Sequence, residues 1–172
     1  VGTVITPQLI DIIDPVSAVR TYSSGTVQRL RTCEIERWGL RVECPTPDDP
    51  FHDLEVSWLL PDLNLRLTHQ RPRSRHARRE PSVLTAVRIY RAGQAWRTTD
   101  LLLGLSAMGG RTARIVQCEE FAAAVAGRVL RPGDANLALH TVHKTLEELS
   151  HFRHDVGAWL SAKHIFEVWP PF

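Results

Sequence analysis

Residues 96–130 read WRTTDLLLGLSAMGGRTARIVQCEEFAAAVAGRVL, and the fold class turns on the change of period inside them. Trp96 to Met108 alternates as a strand, Gly109-Gly110 closes a hairpin, and Thr112 to Gln117 returns as the last strand. Glu119 to Leu130 is Ala-rich and helical, with Arg131-Pro132-Gly133 as its stop signal. Strands first and helices last predict an α+β fold rather than an alternating α/β one.

Upstream, Val4 to Ile13 is extended and β-branched, limited by Pro7 and ended by Asp14-Pro15. Tyr22 to Glu36 carries a Ser23-Ser24-Gly25 turn, and Trp38 to Glu43 returns as a hairpin partner. A Pro- and Asp-rich loop over residues 45–50 precedes strands Phe51–Leu60 and Leu63–His69, which are parted by Pro61-Asp62. Val83 to Tyr90 is the strand before the quoted stretch, with a turn at Ala92-Gly93. Such a series of short antiparallel strands suggests a barrel or sandwich. Downstream, Asp134 is placed to cap a second helix running to about Phe152, and Asp155 to Lys163 forms a third, followed by Phe166, Trp169 and Phe172. Residues 1–172 are read as one domain, 1–117 mainly β and 119–163 helical.

The 172 residues include 21 Lys plus Arg against 19 Asp plus Glu. Of the basic residues 19 are Arg, and Arg66 to Pro132 holds 13 of them against four acids, a net of +9, leaving 8 basic against 15 acidic, or −7, elsewhere. The 43% apolar content excludes disordered and collagen-like chains. No apolar run approaches the ~20 residues of a membrane helix, and Val1 to Ile10 lacks the basic flank and apolar stretch of a signal peptide, so a cytoplasmic location is expected. Cys33, Cys44 and Cys118 are too few for a disulfide framework, and reduced thiols are the default. A turn centred on Trp38-Gly39 would set Cys33 opposite Cys44, Glu36 opposite Arg41 and, unfavourably, Glu34 opposite Glu43.

Walker, Rossmann, Gly-x-Ser-x-Gly and CxxC motifs are absent from the sequence. His140, His143 and Glu147 share a helix at a spacing that is weak for a metal site and common for a solvated face. The stretch QRPRSRHARRE over 70–80 suits a phosphate-rich partner, yet it lacks the interleaved aromatics that stack bases and reads first as a solvated loop. Period-two geometry sets Asp100, Leu102 and Gly104 on one face and Leu101, Leu103 and Leu105 on the other, so Asp100 looks into whatever the first face encloses if the second is core.

Along most of its length the chain resembles actinobacterial members of the FomD-like family, also called domain of unknown function 402. The resemblance is carried by Tyr22-Ser23-Ser24-Gly25-Thr26, Trp38-Gly39-Leu40, Leu54 to Leu63 (LEVSWLLPDL), Trp96-Arg97-Thr98-Thr99-Asp100-Leu101 and Asp155-Val156-Gly157-Ala158-Trp159-Leu160. It implies an antiparallel β-barrel flanked by C-terminal helices and, in characterised members, divalent-metal-dependent hydrolysis of nucleoside phosphates or of a cytidylyl phosphonate. Carried over by position, Asp100 keeps the first strand carboxylate and Glu119 an acid before the helix. Leu102, Gly104, Thr85 and Gln117 stand where further acids are common. A hard dication bound through oxygen depends on its carboxylates, so these replacements would weaken Mg²⁺ binding.

The expectation is a repurposed, metal-free site that binds and converts a small organic molecule by cyclisation, isomerisation or a similar biosynthetic step. Asp100 or Glu119 would act as acid or base, and Trp58, Trp96, Leu102, Gly104, Thr85, Gln117, Arg97 and Arg114 would form the substrate wall. The alternative is Mg²⁺- or Mn²⁺-dependent hydrolysis at a reduced Asp100 and Glu119 site with Arg97 or Arg114 against the phosphate. An RNA-binding barrel using Arg71 to Arg79 is the third reading. No membrane partner is expected, nucleic acid is disfavoured, and a homodimer is compatible.

Overall fold

In the computed structural model, which describes residues 9–78 and 80–166, ten strands form one antiparallel sheet and three helices follow it. The strands are β1 (Ile10–Asp14), β2 (Val19–Tyr22), β3 (Val27–Arg29), β4 (Thr32–Glu36), β5 (Gly39–Pro45), β6 (His52–Leu60), β7 (Leu65–Pro72), β8 (Ser82–Ala92), β9 (Ala95–Ala107) and β10 (Arg114–Val116). They lie in the order β3-β2-β1-β9-β8-β7-β6-β5-β4, with β10 paired to β9. The expected residues 4–8 of the first strand, and Trp169 and Phe172, lie outside the described residues.

The expectation of a barrel is corrected, because the sheet does not close. Closure needs a ladder between β3 and β4, but β3 is only three residues long and these two strands are the edges. Exposed Arg29 on one edge and Glu34 and Glu36 on the other discourage further pairing. The sheet nevertheless curls strongly. Arg20 on β2 and Glu55 on β6 are separated by β1, β9, β8 and β7 in the sheet, yet their side chains meet at 3.2 Å.

The curl creates two cores. Leu54, Val56, Trp58 and Leu60 of β6 and Leu101, Leu103 and Leu105 of β9 pack on one face against α1 (Cys118–Ala126), α2 (Pro132–His151) and α3 (Val156–Ala162). Ala124, Ala138, Val142, Leu149, Trp159 and Leu160 are the helical side of that core. The opposite face holds a smaller core of Ile13, Leu30, Leu40, Val42, Cys44, Leu59 and Trp96, to which no helix contributes.

Two boundaries shift. Arg131-Pro132-Gly133 reads as a stop, but Pro132 is the first residue of α2: proline's missing N–H costs nothing where no intrahelical acceptor exists. Asp134 therefore lies in the first turn instead of capping, and binds Arg88. Asp155 does cap α3, accepting the Ala158 N–H at 3.0 Å. The β4–β5 hairpin is two residues off the expected register: Cys33 opposes Val42, and Glu34 opposes Arg41, to which it bonds at 3.1 Å. This register relieves the Glu34/Glu43 repulsion, and it suits Gly39, whose φ is +153° and whose Cβ would sit 1.9 Å from Leu59 O. Cys33 and Cys44 are free thiols, and burial pushes Cys33 up to about 11 and raises Cys44 as well.

Candidate functional site

The helix-free face carries a chain of charged side chains. Asp11 on β1 is in phase with buried Ile13, and the register sets Arg20 opposite Ile13, so both charges turn inward. The Arg20 guanidinium donates through Nε to Asp11 Oδ2 at 3.0 Å and also through Nη2, while its Nη1 reaches Glu55 Oε1. Glu55 accepts further bonds from Ser57 and from Gln70 Nε2 at 3.0 Å. Arg66 on β7 continues the chain, with Nη1 3.5 Å from Asp11 Oδ2 and Nη2 2.6 Å from Asp100 Oδ2.

Asp11 and Arg20 are 6% and 8% exposed. Burial alone would lower the Arg20 pKa, but Asp11 and Glu55 hold it above its ordinary value. Tyr22, whose ring lies 4.8 Å from the Arg20 guanidinium carbon, is pushed up to about 12, first by burial and against the opposing effect of Arg20. Two buried atoms on this face, Thr98 Oγ1 and Gln70 Oε1, have no hydrogen-bond partner among the described residues.

Asp100 faces this network, as its alternation with Leu101, Leu103 and Leu105 implies. Leu102 does not join it. Thr85 pairs with Gly104 and Val87 with Asp100, so three residues of β9 oppose one of β8. Asp100 Oδ1 accepts the Leu102 N–H at 2.7 Å, Leu102 takes φ +64°, and its side chain packs on the helix-side core.

The expected site residues divide accordingly. Asp100 and Thr85 lie on the helix-free face, with Arg66 opposite Thr85 and Gly104 paired to it. Trp96 is buried in the smaller core and Trp58 in the helix-side core, so the two do not wall one pocket. Arg97 is exposed on the other side of β9, in register with Tyr90 and Ile12. Arg114 is exposed on β10, Gln117 precedes α1 at φ +64°, and Glu119 is exposed in the first turn of α1. Sequence reasoning missed Asp11, Arg20, Glu55 and Arg66, though each is in phase with inward residues of its strand.

The residues present do not suit a hard dication. Both Asp100 oxygens are engaged by Arg66 and Leu102, Glu119 stands apart, and no three His, Cys, Asp or Glu converge among the described residues. A side chain at 104 would place Cβ 2.8 Å from Leu84 O. In the arginine-rich stretch, Arg71 grips Asp53 at 2.7 and 2.8 Å, and Arg73 bonds the carbonyls of Thr46, Pro47 and Asp49. No helix among the described residues is long and apolar enough to cross a membrane.

The architecture is thus an open, curled antiparallel sheet, helices on one face and an arginine–carboxylate chain on the other. Among solved structures, a protein of unknown function, DUF402, from Rhodococcus sp. RHA1 superposes on this chain at a TM-score of 0.85 and 25% identity, over 92% of this chain and 96% of that one. The chain thus has a DUF402, FomD-like fold, as the sequence resemblance implied. A second structure, the phosphatase SC4828 with the non-hydrolyzable nucleotide GPCP, aligns at a TM-score of 0.46 and 13% identity over 96% of this chain and 77% of that one. No family model and no curated protein matches the sequence.

Proposed function

We propose that this chain binds and converts a small organic molecule without a divalent cation, with the Arg66–Asp100 pair as the polar centre of the site. The observation that carries the reading is the commitment of both Asp100 oxygens, one to Arg66 Nη2 at 2.6 Å and one to the Leu102 N–H at 2.7 Å. An arginine cation already neutralises the carboxylate. Asp100 is partly exposed, at 24% of its side chain, and serves as proton acceptor. Arg66 holds the negative charge that the departing proton leaves on the substrate, and Asp100 returns that proton at a second atom. Such a sequence describes isomerisation or cyclisation and consumes no co-reactant. Thr85, on the same face, contributes a polar contact to the substrate, and Glu119 is dispensable.

The test separates this reading from metal-dependent hydrolysis. The purified protein is incubated with a nucleoside diphosphate and excess Mn²⁺, and phosphate release is followed colorimetrically. The expected result is no release above the protein-free control. Release that disappears in Asp100→Asn overturns the proposal in favour of a reduced metal site.

A further inference from the structure

On the other face of β9, away from Asp100, a cleft of about 780 Å³ opens between the sheet and the start of α2. Arg88 and Tyr90 of β8 and Arg97 and Thr99 of β9 form one wall, and the segment around Arg131 and Gly133 forms the other. Arg88 is fixed by Asp134, whose Oδ1 accepts from Nε at 2.8 Å and Nη2 at 2.6 Å. Asp134 is the one acid lining the cleft among the described residues, and it is spent on Arg88. Arg97 and Arg131 have no ion-pair partner among the described residues. Two uncompensated guanidinium groups around one concavity repel each other and focus a positive potential into it. Tyr90, 52% exposed, offers a ring face beside the charges.

We propose that this cleft binds a small organic phosphate, its phosphoryl oxygens on Arg97 and Arg131 and its planar or apolar body against Tyr90. Guanidinium matches phosphate oxygens in bidentate fashion, and the volume falls within the range of small-molecule sites, about 300–1,000 Å³. The site is independent of the reading at Asp100, because the two lie on opposite faces of one strand.

Titration calorimetry with phenyl phosphate and with inorganic pyrophosphate, in EDTA and moderate salt, tests it. Saturable 1:1 binding is expected, weakened about tenfold or more by Arg97→Ala and by Arg131→Ala, and unaffected by the charge-matched Arg111→Ala outside the cleft. Tyr90→Ala should weaken phenyl phosphate and spare pyrophosphate. Gly133 has open space where a Cβ would stand, so Gly133→Trp should obstruct the cleft while leaving the melting temperature in place. Absence of saturable binding, or equal binding by the Arg97→Ala/Arg131→Ala double variant, overturns the proposal. Tighter binding of a single-stranded RNA than of either phosphate, with a steep salt dependence, also overturns it.

Discussion

Arg20 is the residue whose removal most directly tests the charged chain on the helix-free face. In Arg20→Met the alkyl part of the side chain is kept, but Asp11 loses two donated bonds and Glu55 loses one. Glu55 keeps Gln70 and Ser57, while Asp11 keeps only Arg66 at 3.5 Å, so Asp11 bears most of the damage. With Arg20 and Asp11 side chains 10% and 8% exposed, solvent screens little of the loss. Removing one member of a buried pair costs about 3–5 kcal/mol. At about 2–4 °C per kcal/mol for a chain of this size, the melting temperature should fall by roughly 6–20 °C. Urea unfolding and scanning calorimetry at pH 7 measure both. Adding Asp11→Asn should recover much of the loss at pH 7. A deficit below about 1 kcal/mol would refute the reasoning, since that is the size expected of an exposed ion pair.

Gly104→Ala should destabilise by about 1–3 kcal/mol in urea unfolding, because the new methyl meets Leu84 O at 2.8 Å, and Gly104→Asp should gain no thermal stabilisation from Mn²⁺. Cys118 is exposed, whereas burial raises the pKa of Cys33 and Cys44, so a thiol-reactive chromophore at pH 8 should titrate one thiol quickly and the other two only on unfolding. His52 bonds Asp49 at 2.9 Å and Glu80 at 2.9 Å, and both partners require its ring to donate; its pKa is raised, first by Asp49. That clasp is complete below the ordinary histidine value and is lost as pH rises through the raised one, so cleavage of the 73–78 loop by trypsin should differ between parent and His52→Ala at pH 6 and converge at pH 9.

Much of this organisation is legible in short stretches of sequence. Asp100 against Leu101, Leu103 and Leu105 reads correctly because the strand period is local, and Asp155 reads as a cap because capping involves neighbouring residues only. Reading fails where strands distant in sequence decide the outcome. The Arg20–Glu55 contact that expresses the curl spans 35 positions, and no local period encodes it. The hairpin register depends on β6, whose Leu59 carbonyl requires a glycine at 39. Pro132 misleads for another reason: a proline beside a glycine fits either end of a helix. The Asp100-to-Leu102 bond is invisible to a binary pattern, which assigns Leu102 to the wrong face.

The three-for-one mismatch between β9 and β8 also bears on how this strand tolerates insertion and loss. Its surplus of two residues is even, so Gly104 and everything beyond it keep the side they would have had in an unbroken ladder. Excising two codons within 101–103 would shorten the strand yet leave Leu105 facing the helices. Excising one would turn the remainder of the strand over, driving Leu105 towards the charged face and a serine into the core. Length variation at this point is therefore filtered by parity, and lineages carrying this fold should differ here by pairs of residues.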